Sequence, residues 1–188
     1  MPPKIKVSKE KVLDTAFAMT REDGFEALTA RRLAARLQSS TQPIFRAYEN
    51  METLKEDLFY KSVDFFSDHM LEKQRENPKE PAYLAMGMAY IELAKGERHL
   101  FELVASVEKR EGDDIHEFLQ KGDCAEFMEK LPDTSSLSTE QKREVFGMVW
   151  MFTHGVATQV VSGRVELSDE KLRGLLRRAY EGFVATSQ

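Results

Sequence analysis

Apolar residues recur at intervals of three and four along almost the whole chain, and no stretch alternates apolar with polar side chains for long enough to argue for a strand. A helix turns every 3.6 residues and a strand repeats every two, so this periodicity restricts the chain to an all-α architecture. Its most complete instance lies near the C-terminus, where Leu172, Leu175, Leu176, Ala179, Tyr180, Phe183 and Val184 are spaced by 3, 1, 3, 1, 3 and 1. An apolar stripe of that length needs something to cover it. With 41% hydrophobic and 31% charged residues among 188, the chain has enough apolar surface for a packed core and too much for a disordered polymer.

Start and stop signals divide the pattern into about nine helices. Ser8 caps a first helix carrying Val12, Leu13, Ala16, Phe17 and Thr20, which Gly24 ends. Thr29 caps a short second helix with Leu33, Ala34 and Leu37, followed by the polar break Gln38-Ser39-Ser40. Thr41 to Ala47 form a third, with Pro43 in the first turn, where a missing N–H costs nothing. Asn50 caps a long helix that runs to Asn77, where Pro78 and Pro81 impose a break. Helices are expected near 81–95, 97–110 and 113–130, then a polar loop from Pro132 to Leu137. Ser138 and Gln141 make a capping box for the next helix, and Ser168 followed by Asp169 and Glu170 opens the last. Residues 1–49 are expected to form one domain and residues 50–188 a second.

The 19 residues from Val145 to Gly163 carry no charge, close to the length of a membrane span. Thr153, His154, Thr158, Gln159 and Ser162 are costly in lipid, so the segment is expected to be a buried helix, with no membrane partner. The N-terminus is basic but has no apolar segment behind it, and reads as a flexible arm rather than a signal peptide. Cys124 is the only cysteine, which excludes an intrachain disulfide and any zinc site needing two thiolates of one chain. The expected setting is the reducing cytoplasm. Catalysis has little to build on, because the chain lacks a Gly-rich phosphate loop, a Gly-x-Ser-x-Gly elbow and a His-Glu-x-x-His pair. His69, His99, His116 and His154 are scattered, and Asp113-Asp114-Ile115-His116 reads as a solvated helix start. No enzyme activity, cofactor or metal is therefore expected.

Charge is divided unevenly along the chain. Residues 1–47 carry nine basic and five acidic side chains, a balance of +4, which leaves −9 for the remainder of a chain whose total is −5. A basic segment on an acidic body suits a polyanion, since Lys and Arg neutralise phosphate. Within it, residues 29–47 have the outline of a helix-turn-helix, in which the second helix enters the DNA major groove. Ala34 is small where the helices cross, Leu33, Leu37 and Ile44 supply apolar contacts behind them, and Thr41, Gln42 and Arg46 face outward towards phosphates or base edges. Helical hairpins of unrelated proteins share this outline, and the pattern by itself does not choose between them.

The run from Val12 to Leu54, VLDTAFAMTREDGFEALTARRLAARLQSSTQPIFRAYENMETL, resembles without a gap the N-terminal DNA-binding domain of TetR-type (TetR/AcrR) transcriptional regulators. The resemblance is carried by Gly24-Phe25, by Leu28-Thr29 leading into the second helix, by Leu33-Ala34, by Ser40 at the start of the recognition helix, and by Ile44-Phe45, Tyr48 and Leu54. It implies DNA contacts from Thr29, Arg31, Ser40, Thr41, Gln42, Pro43, Phe45, Arg46 and Tyr48. The chain departs from the family at four places. Gln38 stands where the turn usually has Gly, Ser39 follows in place of an apolar residue, Phe45 replaces a common Tyr, and Met51 replaces a common Lys. Lys55, one helical turn later, is the candidate to supply the missing charge.

In the remainder, Gly155, Thr158 and Ser162 put small side chains on one helix face, which serves either a close crossing inside the chain or a dimer interface. Trp150, His154-Gly155 and the final apolar stripe resemble the last two helices of TetR-type regulators, which implies a homodimer interface that includes Leu172, Leu176 and Tyr180. Met86, Met88, Tyr90, Phe101, Met148, Trp150, Met151 and Phe152 make either an adaptable pocket or plain core. His154 is either a ligand's hydrogen-bond partner or a satisfied buried histidine. The resemblance implies a repressor that binds a palindromic double-stranded DNA operator and is released by a small apolar or aromatic effector. That effector would be held by Met86, Tyr90, Phe101, Trp150 and His154, and its signal would pass through the helix over 50–77 by population shift. The alternative is a helical protein-interaction module that binds no DNA.

Overall fold

The computed structural model describes residues 7–106 and 131–187. The basic arm with Lys4 and Lys6, the helix expected over 113–130, Cys124 and the Asp113–His116 run lie outside the described residues. Among the described residues the protein has eight α-helices, one 3₁₀ turn and no strand: α1 (Lys9–Asp23), the turn Phe25–Ala27, α2 (Ala30–Arg36), α3 (Gln42–Ala47), α4 (Met51–Glu76), α5 (Ala82–Gly96), α6 (Arg98–Ser106), α7 (Thr139–Val161) and α8 (Asp169–Thr186).

The helix starts are where the side chains dictate. Ser8, Thr29, Ser138 and Ser168 each accept a hydrogen bond from a backbone N–H of the first turn, which would otherwise go unpaired. Asn50 Oδ1 accepts from the Thr53 N–H at 3.0 Å, and Ser138 and Gln141 complete both halves of a capping box. Gly24 ends α1 at φ +85°, a conformation that a side chain would resist. In α4 the buried positions are Leu54, Leu58, Ser62, Phe66 and Met70, an unbroken i, i+4 row. Ser62 is tolerated in that row because its hydroxyl donates to the Leu58 carbonyl at 2.8 Å.

The described residues fall into two compact units, one drawn from residues 7–65 and 97–106, the other from 66–96 and 131–187. The first unit has a hydrophobic core built from five of its helices. It gathers Val12, Ala16 and Met19 from α1, Leu33 and Ala34 from α2, Ile44 from α3 with Tyr48 beyond it, Leu54 and Leu58 from α4, and Leu103 from α6. Burying each of the larger aliphatic side chains contributes about 1.5–3 kcal/mol. α6 is held to α1 at its start as well, where both carboxylate oxygens of Glu97 accept from Arg21, one from Nε and one from Nη2, and His99 Nδ1 lies 3.2 Å from the Arg21 carbonyl oxygen.

In the second unit, α5, α7 and α8 pack on one another. All three meet at Gly87, where an added Cβ would lie 3.1 Å from Leu176 Cδ1 and 3.6 Å from Thr153 Cγ2. The Tyr83 and Tyr180 rings stack at 3.8 Å with 7° between their planes, the Tyr180 hydroxyl donates to the Pro132 carbonyl at 2.5 Å, and Arg173 pairs with Glu80. No helix among the described residues is long and apolar enough to cross a membrane.

The uncharged segment corrects one expectation. It is helical, but only one side of it is buried: Val145, Phe146, Gly147, Thr153 and Ala157 face inward. Met151 is 57% exposed, and Gly155, Thr158, Gln159 and Ser162 are exposed too. The segment has an inside and an outside without charge to distinguish them, which is why the lack of charge by itself read as a buried helix.

Candidate nucleic-acid interface and associated surfaces

The link between α2 and α3 is a Schellman motif. The Ser39 N–H donates to the Ala34 carbonyl at 2.9 Å and the Gln38 N–H to the Ala35 carbonyl at 3.0 Å, with Gln38 in the left-handed region at φ +50°. This is the position where glycine is usual, so Gln38 carries a steric cost of about 1–2 kcal/mol. The turn nonetheless closes. It delivers α3 with Ile44 and Tyr48 inward, packed with Leu33 and Ala34 in one core, and Gln42, Phe45 and Arg46 outward on a single face.

Of the residues expected to touch DNA, Thr29, Arg31, Ser40, Gln42, Phe45 and Arg46 are exposed, and Thr41 and Pro43 are partly so. Arg31 and Arg46 form no ion pair among the described residues, so both charges are free to meet an anion. Arg32 and Arg36 are different: they are held by Asp23 at 2.8 Å and by Glu22 at 2.5 Å, which ties α2 back to the end of α1. Two expected contacts are placed otherwise. Tyr48 is buried, with Lys9 4.8 Å above its ring, and burial together with the Asp57 carboxylate holds its hydroxyl pKa far above the ordinary tyrosine value. It works as a core residue that seats α3. Lys55 is paired with Glu52 at 2.9 Å and lies 5.6 Å from the Phe25 ring centre, so its charge is already engaged.

The residues expected at an effector are partly assembled. Tyr90 of α5 and His154 of α7 share a hydrogen bond of 2.8 Å between the hydroxyl and Nδ1, and the Trp150 ring lies 4.9 Å from Tyr90 and 5.9 Å from His154. Phe66 of α4 closes the group edge-on at 5.7 Å from Tyr90. Desolvation lowers the His154 pKa and raises that of Tyr90, so both groups are neutral at pH 7. Met86 is half-buried one turn before Tyr90, whereas Phe101 is buried in the other compact unit. Phe66 was not singled out from the sequence. The i, i+4 row through Leu54, Leu58 and Ser62 is the signal that points to it.

The surface expected between subunits is divided the same way. Gly155 has open space where a side chain would go, and Thr158 and Ser162 are exposed, so among the described residues no helix crosses α7 at these three. With Met148 and Met151 they follow the 3-4-3-4 spacing of a helix seam. Leu172, Leu176 and Tyr180 face the other way, buried in the chain's own second unit.

Compared with solved structures, the chain is similar to a TetR-like transcriptional regulator from Rhodococcus sp. RHA1, over 98% of both chains, with a TM-score of 0.61 and 15% sequence identity. No protein-family model and no curated protein matches the sequence. The described helices therefore have the fold of a TetR-like regulator, in line with the all-α, helix-turn-helix architecture read from residues 12–54.

Proposed function

We propose that this protein is a DNA-binding transcriptional regulator whose head, read from the sequence as residues 1–49, docks α3 in the major groove. The observation that carries this reading is the two-sided character of α3. One side is sunk in the core through Ile44 and Tyr48, and the other offers Gln42, Phe45 and Arg46; Arg46 and the exposed Arg31 of α2 form no ion pair among the described residues. Gln and Arg are the side chains that pair bidentately with adenine and guanine. The likeness in fold to a TetR-like transcriptional regulator supports the same reading.

The finer features belong to this proposal as well. Two chains pair through a seam of α7 formed by half-buried Met148 and exposed Met151, Gly155, Thr158 and Ser162, which would set the two α3 helices about 34 Å apart, one turn of the duplex. A small apolar or aromatic effector bound near Tyr90, Trp150 and His154 releases the protein from a near-palindromic operator, so that it acts as a repressor in the cytoplasm, without catalysis. Selection of full-length protein on random duplexes, followed by titration at several salt concentrations, tests the reading. The expected result is an enriched near-palindrome with strongly salt-dependent affinity. In the same assay Arg46→Ala weakens binding about tenfold or more while the oligomeric state is unchanged. A helical interaction module would enrich no sequence and shift no duplex even at low salt.

A further inference from the structure

The outward face of α3 contains one side chain with no hydrogen-bonding group. Phe45 is 47% exposed, a large aromatic ring next to Arg46 in the sequence and one turn after Gln42. A solitary exposed apolar residue is ordinarily unremarkable on a protein surface. Here the neighbours decide, because the ring stands among the side chains that would read base edges and belongs to a helix whose other face is locked in the core. A phenyl ring cannot donate to a phosphate oxygen, so the backbone contact that a tyrosine would make is closed to it. The apolar group that a major groove presents is the 5-methyl of thymine, and a phenyl ring is among the side chains that pack on it.

We propose that Phe45 reads a thymine in each operator half-site through that methyl group, making it a specificity-determining residue rather than a phosphate anchor. The inference rests on the DNA-binding reading above. Its test uses the full chain and the duplex recovered by selection, with thymines replaced by deoxyuridine one symmetric pair at a time and affinities compared at a single salt concentration. One symmetric pair is expected at which losing the methyl groups weakens binding about tenfold, as two buried methyl groups would. Phe45→Ala should bind the thymine operator more weakly and be indifferent to uracil at that pair. Phe45→Tyr keeps the ring and should keep the sensitivity. Tolerance of uracil at every thymine, or undiminished sensitivity in Phe45→Ala, overturns the proposal while leaving DNA binding intact. Failure to enrich any duplex overturns the DNA-binding reading itself and this inference with it.

Discussion

Gln38 shows how one residue can be wrong for its backbone and still be kept. Its φ of +50° closes the turn between α2 and α3, and the two N–H bonds of that turn leave no other conformation open to it. Gln38→Gly removes the clash between Cβ and the carbonyl oxygen and gives back part of the gain as unfolded-chain entropy, so stability should rise by about 0.5–1 kcal/mol. A higher urea midpoint at unchanged m-value is the expected result. His154 carries a different signature. Because burial depresses its pKa below 6.5 in the folded chain, the unfolded chain takes up the proton first as pH falls. Stability is therefore lost on descending through pH 6.5 towards the folded value and is fully present above it. His154→Gln should flatten the dependence of the thermal midpoint on pH between 7 and 5. The turn residue was legible in the sequence because a missing glycine is a local signal. The partnership of Tyr90 with His154 was not, since nothing in residues 64 positions apart says that α5 and α7 bring them to 2.8 Å.

At the scale of helices, capping residues gave the starts of α1, α2, α4, α7 and α8 correctly because each is a contact within four residues of sequence. What covers a helix is a long-range question, and periodicity does not answer it. The α8 stripe reads the same whether it lies against a sister subunit or against α5 and α7, and here Leu172, Leu176, Tyr180 and Val184 take the second course. Leu172→Ala should accordingly destabilise the fold by about 2–5 kcal/mol, through lost burial and the cavity left behind, in thermal unfolding at any protein concentration. A surface serving only association would show the loss at high dilution alone. Gly87 escaped notice for a related reason. The sequence marks glycines near turns, whereas Gly87 is mid-helix and needed because Leu176 would stand 3.1 Å from any Cβ there. The uncharged stretch of α7 completes the point: absence of charge located a helix but not which of its sides faces water.

For the molecule as a whole, the exposed seam of α7 separates the readings of its assembly. Thr158→Trp places a large ring where small residues alternate, and sedimentation should then give the mass of one chain with helical content unchanged. An unaltered mass would move the interface elsewhere. The division into compact units carries a further lesson. The core of the first unit draws on Leu103, and Glu97 and His99 tether α6 to α1, although more than thirty residues of the second unit intervene between α4's Phe65 and Glu97. A hybrid made by grafting only the front of this gene onto a foreign body would arrive with a hole in its floor. Whoever wishes to transplant the reader must carry the strip from 97 to 106 along with it, cut from the middle of the chain and supplied at the matching place in the recipient.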